Sequence, residues 1–247
     1  MILSDLFDQL TYGELSQLDM AGADDNGFVV ENHKRIIPHI NLALTELHKR
    51  FIIREEEVTI RCWDHIETYI LHPDYAASNL RSTQKYKYIH DTEFEPFVDN
   101  VIKIEKIFNE DGQELYVNET DPYIRTTVDW RTSKKAWSIH TPAYNVIQLS
   151  YPMVENAFLV EYQANHETIL VPNLDPSTTE IKIPSHLLEP LLLYIASRVY
   201  SSLGGDSAQE GTAYMTKFEV SCKKIEELNL VNKANVTNQK LEVNGWV

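Results

Sequence analysis

The chain has 247 residues, and its 22 Lys and Arg against 37 Asp and Glu give a formal net charge of −15. This acidic balance argues against a protein that grips nucleic acid, because such proteins neutralise phosphates with clustered basic side chains. No stretch approaches the ~18 apolar residues of a membrane-spanning helix, and the N-terminal residues lack a signal-peptide pattern. Cys62 and Cys222 are too few for a disulfide framework or a cysteine zinc site, so we expect a soluble protein of the reducing cytoplasm.

The N-terminal residues predict two short helices. Ser4 can cap a turn that runs to Leu10. Thr11 and Glu14 have the spacing of a capping box, which predicts a second short helix over Gly13–Asp19. A loop rich in Gly, Asp and Asn follows.

A stronger helical pattern comes next, because apolar side chains recur at the helical period. Its apolar positions are Ile40, Leu44, Leu47 and Phe51. Pro38 fits the first turn of this helix, where its missing N–H costs little. A helix that began near Asn32 instead would be kinked by Pro38.

From Glu57 onward the pattern changes to the alternation that is typical of strands. Residues 101–108 and 114–117 predict a β-hairpin with a four-residue turn that ends in Gly112. Further strands are predicted near residues 124–128, 136–140, 146–149 and 157–164. Pro122, Pro142, Pro152 and Pro172 fall between these segments, so we expect them to end strands. Residues 74–96 show no clear period and predict an irregular loop.

Helical periodicity returns after Pro184. Ser185 can cap a long helix. The apolar stripe of this helix is formed by Leu188, Leu192, Ile195, Val199 and Leu203. Further leucines widen the stripe, which indicates a helix buried against several neighbours. Gly204 and Gly205 end it, and a capping box of Ser207 and Glu210 opens another helix. The apolar face of that helix holds Tyr214, Phe218, Cys222 and Ile225.

Together these patterns predict an α+β fold in which both chain ends build one helical unit around an inserted antiparallel β-rich region. We expect the helical unit to comprise residues 1–56 and 183–230. The β-rich insertion would comprise residues 57–182. An extended C-terminal tail, residues 231–247, completes the chain.

Motifs that would indicate chemistry are missing or incomplete. The eight glycines form neither a dinucleotide-binding nor a P-loop pattern, and the chain has no Gly-x-Ser-x-Gly elbow. His166 and Glu167 begin like a zinc-binding His-Glu-x-x-His motif, but Leu170 stands at the second His position. An acidic loop at residues 24–26 lacks the later ligands of an EF-hand. We therefore predict no catalytic residue, no metal site and no cofactor.

One enzymatic alternative stays open at this point. Asp64 follows Trp63, and Asp129 precedes Trp130. A β-rich protein with many carboxylates can hold the paired acids of a glycosidase. The alternative prediction is an acidic hydrolase or carbohydrate-binding module with helical flanks. Its sugar-stacking surface would be formed by Trp63, Trp130 and Trp137.

Both ends of the chain carry apolar side chains that predict docking. The N-terminal segment is too short to form a domain, and we expect it to dock on a partner or another copy. Its docking residues would be Leu3, Leu6, Phe7 and Leu10. Near the C-terminus, Trp246 either folds back onto its own domain or anchors the chain in a partner's groove, since a buried Trp is a typical hot-spot residue.

Four stretches stand out at the two ends of the chain. They are LSDLFDQLTYGELSQLDM (3–20), INLALTELHKRF (40–51), IPSHLLEPLLLYIASRVYSSLG (183–204) and TNQKLEVNGWV (237–247). These stretches resemble the head-to-tail adaptor, or connector, proteins of tailed double-stranded DNA bacteriophages. The β-rich region has no segment that matches this family.

The resemblance implies a non-enzymatic virion protein of the head–tail junction, assembled in the host cytoplasm and without a membrane. Its copies would form a ring, usually of twelve, through which double-stranded DNA passes without specific binding. Its partners would be the portal protein, tail or nozzle proteins, and other copies. The residues in contact with the portal would be Leu241, Val243, Gly245, Trp246 and Val247.

Charge is compatible with this implied function. Residues 185–247 hold 6 basic and 7 acidic side chains, a net charge of only −1, so the acidic excess lies in the rest of the chain. An acidic channel wall repels phosphates and leaves DNA mobile.

Overall fold

The structure is a computed structural model, and it describes residues 1–18, 28, 30–110, 112–118, 139–150, 157–172, 174–205 and 207–230. It has the predicted α+β composition, with helices near both chain ends and antiparallel strands between them. The chain divides into two compact units. The helical unit comprises Met1–Ile53 and the described residues from His166 onward, and the β unit is Arg54–Asn165.

The second boundary between the units lies earlier than the sequence predicts. The insertion was expected to end at residue 182, but the β unit ends at Asn165. Ile181 is buried in the core of the helical unit, and its N–H donates to the carbonyl of Met1 at 2.7 Å. The terminal ammonium of Met1 donates back to the carbonyl of Ile181 at 3.2 Å. Residues 166–182 therefore belong to the helical unit.

Four helices of the described residues build the helical unit. They are α1 (Leu3–Tyr12), α2 (Val30–Arg50), α3 (Leu188–Leu203) and α4 (Ser207–Glu227). Their apolar faces meet in one core, which includes Leu6, Leu10, Ile40, Leu44, Leu47, Leu191, Ile195, Phe218 and Cys222. α3 packs against α1, α2 and α4, which agrees with the wide apolar stripe of its sequence.

The N-terminal half of this unit departs from the predicted helices at two points. The helix predicted over Gly13–Asp19 is wrong, because the described residues after α1 form turns in which the N–H of Leu15 donates to the carbonyl of Leu10 at 2.9 Å. α2 begins at Val30, so Pro38 lies inside the helix. Pro38 has no N–H for the carbonyl one turn before it, and it lies on the exposed side of α2, where water can bind that carbonyl.

α3 also differs in detail from the prediction. Ser185 does not cap it but begins a short 3₁₀ turn, Ser185–Leu187, from which α3 continues. Leu203, predicted in the apolar stripe, is 44% exposed, whereas Tyr200 is buried. α3 buries several sides, so a single stripe does not describe its contacts.

Eight strands of the described residues form the β unit. They are β1 (Glu55–Arg61), β2 (Thr68–Ile70), β3 (Ile89–His90), β4 (Val101–Phe108), β5 (Glu114–Leu115), β6 (Ile139–Ala143), β7 (Val146–Leu149) and β8 (Ala157–Ala164). One antiparallel sheet has the order β3-β1-β8-β4-β5, and a smaller one has the order β2-β7-β6. The two sheets share one core, in which the ring of Tyr69 on β2 lies 5.5 Å from that of Phe158 on β8.

The predicted hairpin is confirmed, since β4 and β5 pair antiparallel around a turn in which Gly112 has a φ of 75°. The strands predicted at 146–149 and 157–164 are confirmed as β7 and β8. Pro142 does not end a strand but lies within β6, beside a register shift between His140 and Ala143. β6 is at the edge of its sheet, where a missing N–H breaks no ladder. The strand predicted near 124–128 lies outside the described residues.

Candidate interaction surfaces

The N-terminal residues predicted to dock on a partner are buried in their own chain. Leu3, Leu6, Phe7 and Leu10 all lie in the core of the helical unit. The segment is also fixed by its backbone, since the N–H of Leu3 donates to the carbonyl of Thr179 at 2.8 Å. This correction removes the four side chains as a docking surface, because exposing them would open the core.

Several predicted site residues lie outside the described part of the chain. Among them are the residues expected to contact a portal, Leu241, Val243, Gly245, Trp246 and Val247. The same holds for Asp129, Trp130, Trp137 and the acidic loop 24–26. Their predictions therefore stand as they were made from the sequence.

Trp63 and Asp64 lie together near the end of β1, but the ring of Trp63 and the carboxylate of Asp64 are both already in contact with other side chains. The guanidinium carbon of Arg61 is 5.6 Å from the centre of the Trp63 ring, and the Tyr86 ring packs against its edge at 5.3 Å. The carboxylate of Asp64 is 2.7 Å from Nδ1 of His65. A sugar ring that stacked on the face of Trp63 next to Arg61 would have to displace Arg61. The carbohydrate alternative itself stays a prediction.

His166 and Cys222 both take structural positions in the helical unit. His166 contacts the carbonyl of Asn41 through Nε2 at 3.0 Å and that of Glu167 through Nδ1 at 2.8 Å, which holds the returning chain on α2. Burial raises the pKa of the Cys222 thiol to about 12, so it is not a thiolate at neutral pH. Within the described ranges, no group of three or more His, Cys, Asp or Glu side chains could hold a metal ion.

The outer face of the five-stranded sheet carries an ordered cross-strand row. Residues directly opposite each other on neighbouring strands share a face of the sheet. The row runs through His90, Thr59, Leu159, Phe108 and Glu114 on β3, β1, β8, β4 and β5. A groove of about 450 Å³ lies along its apolar part and is lined by Leu159, Phe108 and Glu161 among others.

The neighbouring row makes this face acidic. Glu161 on β8 is directly opposite Glu57 on β1, with Lys106 of β4 on its other side. Burial raises the pKa of Glu161, and the nearby glutamates raise it further against the opposing effect of Lys106. Like charges in direct cross-strand positions destabilise a sheet, so this pair lowers the stability of the free β unit.

A second groove of about 350 Å³ lies in the helical unit, between the turn after α1 and the helices α3 and α4. The rings of Tyr200 and Tyr214 are nearly parallel there, with centres 5.3 Å apart. Both hydroxyls donate to the carbonyl of Glu14, at 3.2 and 3.3 Å. These hydrogen bonds hold the turn after α1 against α3 and α4, which gives both tyrosines a structural role.

The solvent side of α4 is a basic stripe around an apolar centre. Val220 is 48% exposed at its middle. The exposed residues at helical spacing around it are Ala213, Thr216, Lys217, Lys223, Lys224 and Glu227. Glu219 and Glu226 stand to the side, where both pair with Arg50 of α2 at 2.8 and 2.7 Å. The outward stripe therefore carries three lysines and one glutamate, and one of these lysines, Lys217, has its ammonium 4.9 Å from the centre of the Tyr214 ring.

The β unit presents an aromatic side chain on a tightly held loop, residues 91–97. The carboxylate of Asp91 accepts hydrogen bonds from the N–H of Ser78 at 2.8 Å and from that of Phe97 at 2.9 Å. The hydroxyl of Ser78 donates to it as well. At the tip between these anchors, the side chain of Phe94 is 96% exposed.

Sequence reasoning missed this loop, because residues 74–96 show no period and were predicted only as irregular. The available signal was local: Phe94 stands between Glu93 and Glu95 and before Pro96. An aromatic side chain among acids has no apolar neighbour in sequence that would bury it.

Comparisons with models of known protein families and with curated proteins gave no match to this chain. Among the helices of the described residues, none has the length and apolar character needed to span a membrane.

Proposed function

We propose that this chain is a structural virion protein of a tailed double-stranded DNA bacteriophage, which forms a ring between the portal and the tail. In this function it is not an enzyme. It joins the portal to tail or nozzle proteins at the head–tail junction and lets DNA pass without binding it specifically. The usual ring of the family it resembles has twelve copies.

One observation carries the proposal. Three of the four stretches that resemble connector proteins come from distant parts of the chain, yet α1, α2 and α3 build a single core from them. Leu10, Leu44 and Leu191, one from each stretch, are all buried in that core. The three stretches therefore lie in one folded body, which supports the proposal.

Electrostatics is consistent with DNA transit. A protein with a net charge of −15 attracts phosphates poorly, and a ring of such chains would repel the DNA backbone from its inner wall. Weak attraction suits a channel through which DNA must move during packaging and ejection.

The test combines the purified chain with the portal protein encoded in the same genome. Native mass spectrometry and negative-stain electron microscopy should show a ring of this chain attached to the portal. A chain that stays a monomer or an obligate dimer in the presence of portal would overturn the proposal.

A deletion tests the predicted portal contact of the tail. Removing residues 241–247 should abolish attachment to the portal while circular dichroism and melting temperature stay unchanged. Lys240→Ala, which changes the tail but keeps its apolar end, is the matched control and should attach normally. Attachment of the deleted chain at the level of the intact chain would remove the tail from the portal contact.

A further inference from the structure

The most exposed large apolar side chain of the described residues is Phe94, and the loop that carries it is built to hold it outward. Thr92 closes the tip, since its hydroxyl accepts from the N–H of Glu95 at 3.0 Å. The backbone N–H of Thr92 in turn donates to the carbonyl of Glu95 at 3.4 Å. On the C-terminal side, Phe97 is buried, and its ring packs against Tyr162 of β8.

This geometry is that of a preorganised anchor for an interface. A loop whose ends are fixed by hydrogen bonds loses little further conformational freedom when it binds. A Phe that is 96% exposed offers apolar area that the described part of its own chain leaves uncovered, and aromatic anchors of this kind are frequent hot spots. Burial of Phe94 by a partner would use a side chain that contributes nothing to the core of the β unit.

The charges beside Phe94 define the surface that fits it. Glu93 and Glu95 are both exposed and flank Phe94 in the sequence. A complementary surface therefore needs an apolar centre with cations on two sides. An anionic lipid surface would repel the two carboxylates, so it is a poor candidate.

The outward stripe of α4 has this composition. Lys217 and Lys223 lie three residues before and after the half-exposed Val220, which is about 4.5 Å along the helix axis on each side. Glu93 and Glu95 each lie one residue from Phe94, about 3.8 Å between successive Cα atoms. Lys224 adds a third cation beside Val220. Both pairs of charged residues thus flank their apolar centre at short backbone distances, about 4.5 Å along the helix axis and about 3.8 Å along the loop.

We propose that residues 93–95 of one copy dock on the α4 stripe of a second copy, with Phe94 against Val220 and the two glutamates against the lysines. The contact joins two different surfaces, so it is heterologous, and it generates a ring where the rotation between copies closes and a filament where it does not. This inference rests on the proposed function in one respect, since the ring is the assembly that brings a second copy next to the first.

Cysteine cross-linking between differently tagged chains tests the contact. One chain carries Pro96→Cys, an exposed position beside Phe94 that leaves the aromatic ring in place, and the other carries Val220→Cys, which keeps a small apolar side chain. Both are made in a Cys62→Ser background that removes the half-buried native thiol. The chains are mixed with and without the portal protein and treated with a short bismaleimide. We expect a cross-linked product from this pair at a yield about tenfold or more above the controls.

Two matched pairs serve as controls. Leu80→Cys places an equally exposed thiol on another loop of the β unit, and Met215→Cys places one on α4 away from the stripe. Neither should cross-link efficiently when combined with the opposite member of the test pair. Equal yields from test and control pairs would overturn the proposed contact.

Charge reversal separates this contact from a nonspecific one. Lys217→Glu with Lys223→Glu in the Val220→Cys chain should lower the cross-linking yield about tenfold, and Glu93→Lys with Glu95→Lys in the other chain should restore it. Loss without restoration would overturn the pairing of these charges.

The outcomes distinguish this inference from the proposed function. Rings on the portal without the cross-link between positions 96 and 220 would reject the contact and leave the proposed function standing. A specific cross-link between chains that form dimers or filaments and do not attach to portal would support the contact and reject the proposed function. A cross-link from position 96 to portal or tail protein alone would also overturn the inference, since the proposed partner of residues 93–95 is a second copy of this chain.

Discussion

Replacing Asp91 by Ala should release residues 91–97 and destabilise the β unit. The substitution removes the acceptor of the Ser78 N–H and of the Phe97 N–H. A hydrogen bond to a charged group contributes about 1.5–3 kcal/mol. Because Asp91 is only partly buried, water replaces some of this, and we expect a loss of about 2–3 kcal/mol in the free energy of unfolding for the two backbone donors together.

Urea unfolding followed by tryptophan fluorescence measures the loss, and hydrogen exchange with mass spectrometry locates it. The amides of Ser78 and Phe97 should exchange faster in the variant, while those of the α3 core should not change. Asp91→Asn keeps an acceptor oxygen without the charge, so its free energy of unfolding should lie between those of the intact protein and Asp91→Ala. Asp99→Ala, an exposed acid nearby, is the control. An unchanged urea midpoint with unchanged exchange at Ser78 and Phe97 would refute the reasoning.

The same interaction predicts a pH dependence. Burial acts to raise the pKa of Asp91, but the hydrogen bonds from Ser78 and Phe97 outweigh it and hold the pKa below its ordinary 3.8. A carboxyl with a lowered folded-state pKa adds stability above the unfolded-state value and loses it as the pH falls through the folded-state value. When the pH is lowered from neutral to acid, the free energy of unfolding of Asp91→Ala should therefore fall by less than that of the intact protein.

Three further substitutions test the helical unit and the outer sheet face. Gly211→Ala should destabilise the chain by about 1–3 kcal/mol, although Ala is the better helix former, because its Cβ would lie 2.9 Å from the backbone N of Ser201 on α3. Arg50→Met should cost about 1–2 kcal/mol, since Arg50 is 21% exposed and pairs with two glutamates of α4, and thermal unfolding measures it. Glu161→Gln should modestly stabilise the protein at neutral pH. The pKa of Glu161 is raised, so the stabilising contribution of its protonated carboxyl group is present at low pH and is lost as the pH rises through the folded-state pKa.

Neighbouring positions supply the controls for these variants. Lys49→Met removes an exposed charge next to Arg50 and should leave the melting temperature nearly unchanged. Glu57→Gln relieves the same cross-strand repulsion as Glu161→Gln, so the double variant should gain less than the sum of the single ones. A stabilising Gly211→Ala would show that α3 and α4 are not in close contact at this point.

Local patterns predicted most of the strands and helices. The alternation around Val160 predicts β8 with its observed bounds, because one face of the strand is buried against the other sheet and the opposite face is not. The hairpin of β4 and β5 follows from its turn residues in the same way. α2 was predicted too short, since Pro38 is a usual first-turn residue and the sequence does not reveal that its side of the helix is exposed.

The candidate surfaces were harder to predict, for a physical reason. An apolar stripe such as that of Leu3, Leu6 and Leu10 shows that a helix face is covered, but it does not show whether the cover is the same chain or another one. Here the cover comes from the chain's own α2 and α3. Phe94 is the opposite case, because exposure of a single aromatic side chain depends on loop geometry that has no periodic signal.

The two proposed contacts should respond to salt in opposite directions. Docking of Glu93 and Glu95 on the α4 lysines depends on charges at the surface, and 1 M NaCl reduces the Debye length to about 3 Å. A portal contact made by Leu241, Val243 and Trp246 depends on apolar burial, which an excluded salt such as ammonium sulfate strengthens. High NaCl should therefore weaken the cross-link between positions 96 and 220 while single chains stay attached to the portal through their tails. If both contacts weakened together, the tail would depend on charge as well, and the near-neutral C-terminal part of the chain would not account for its attachment.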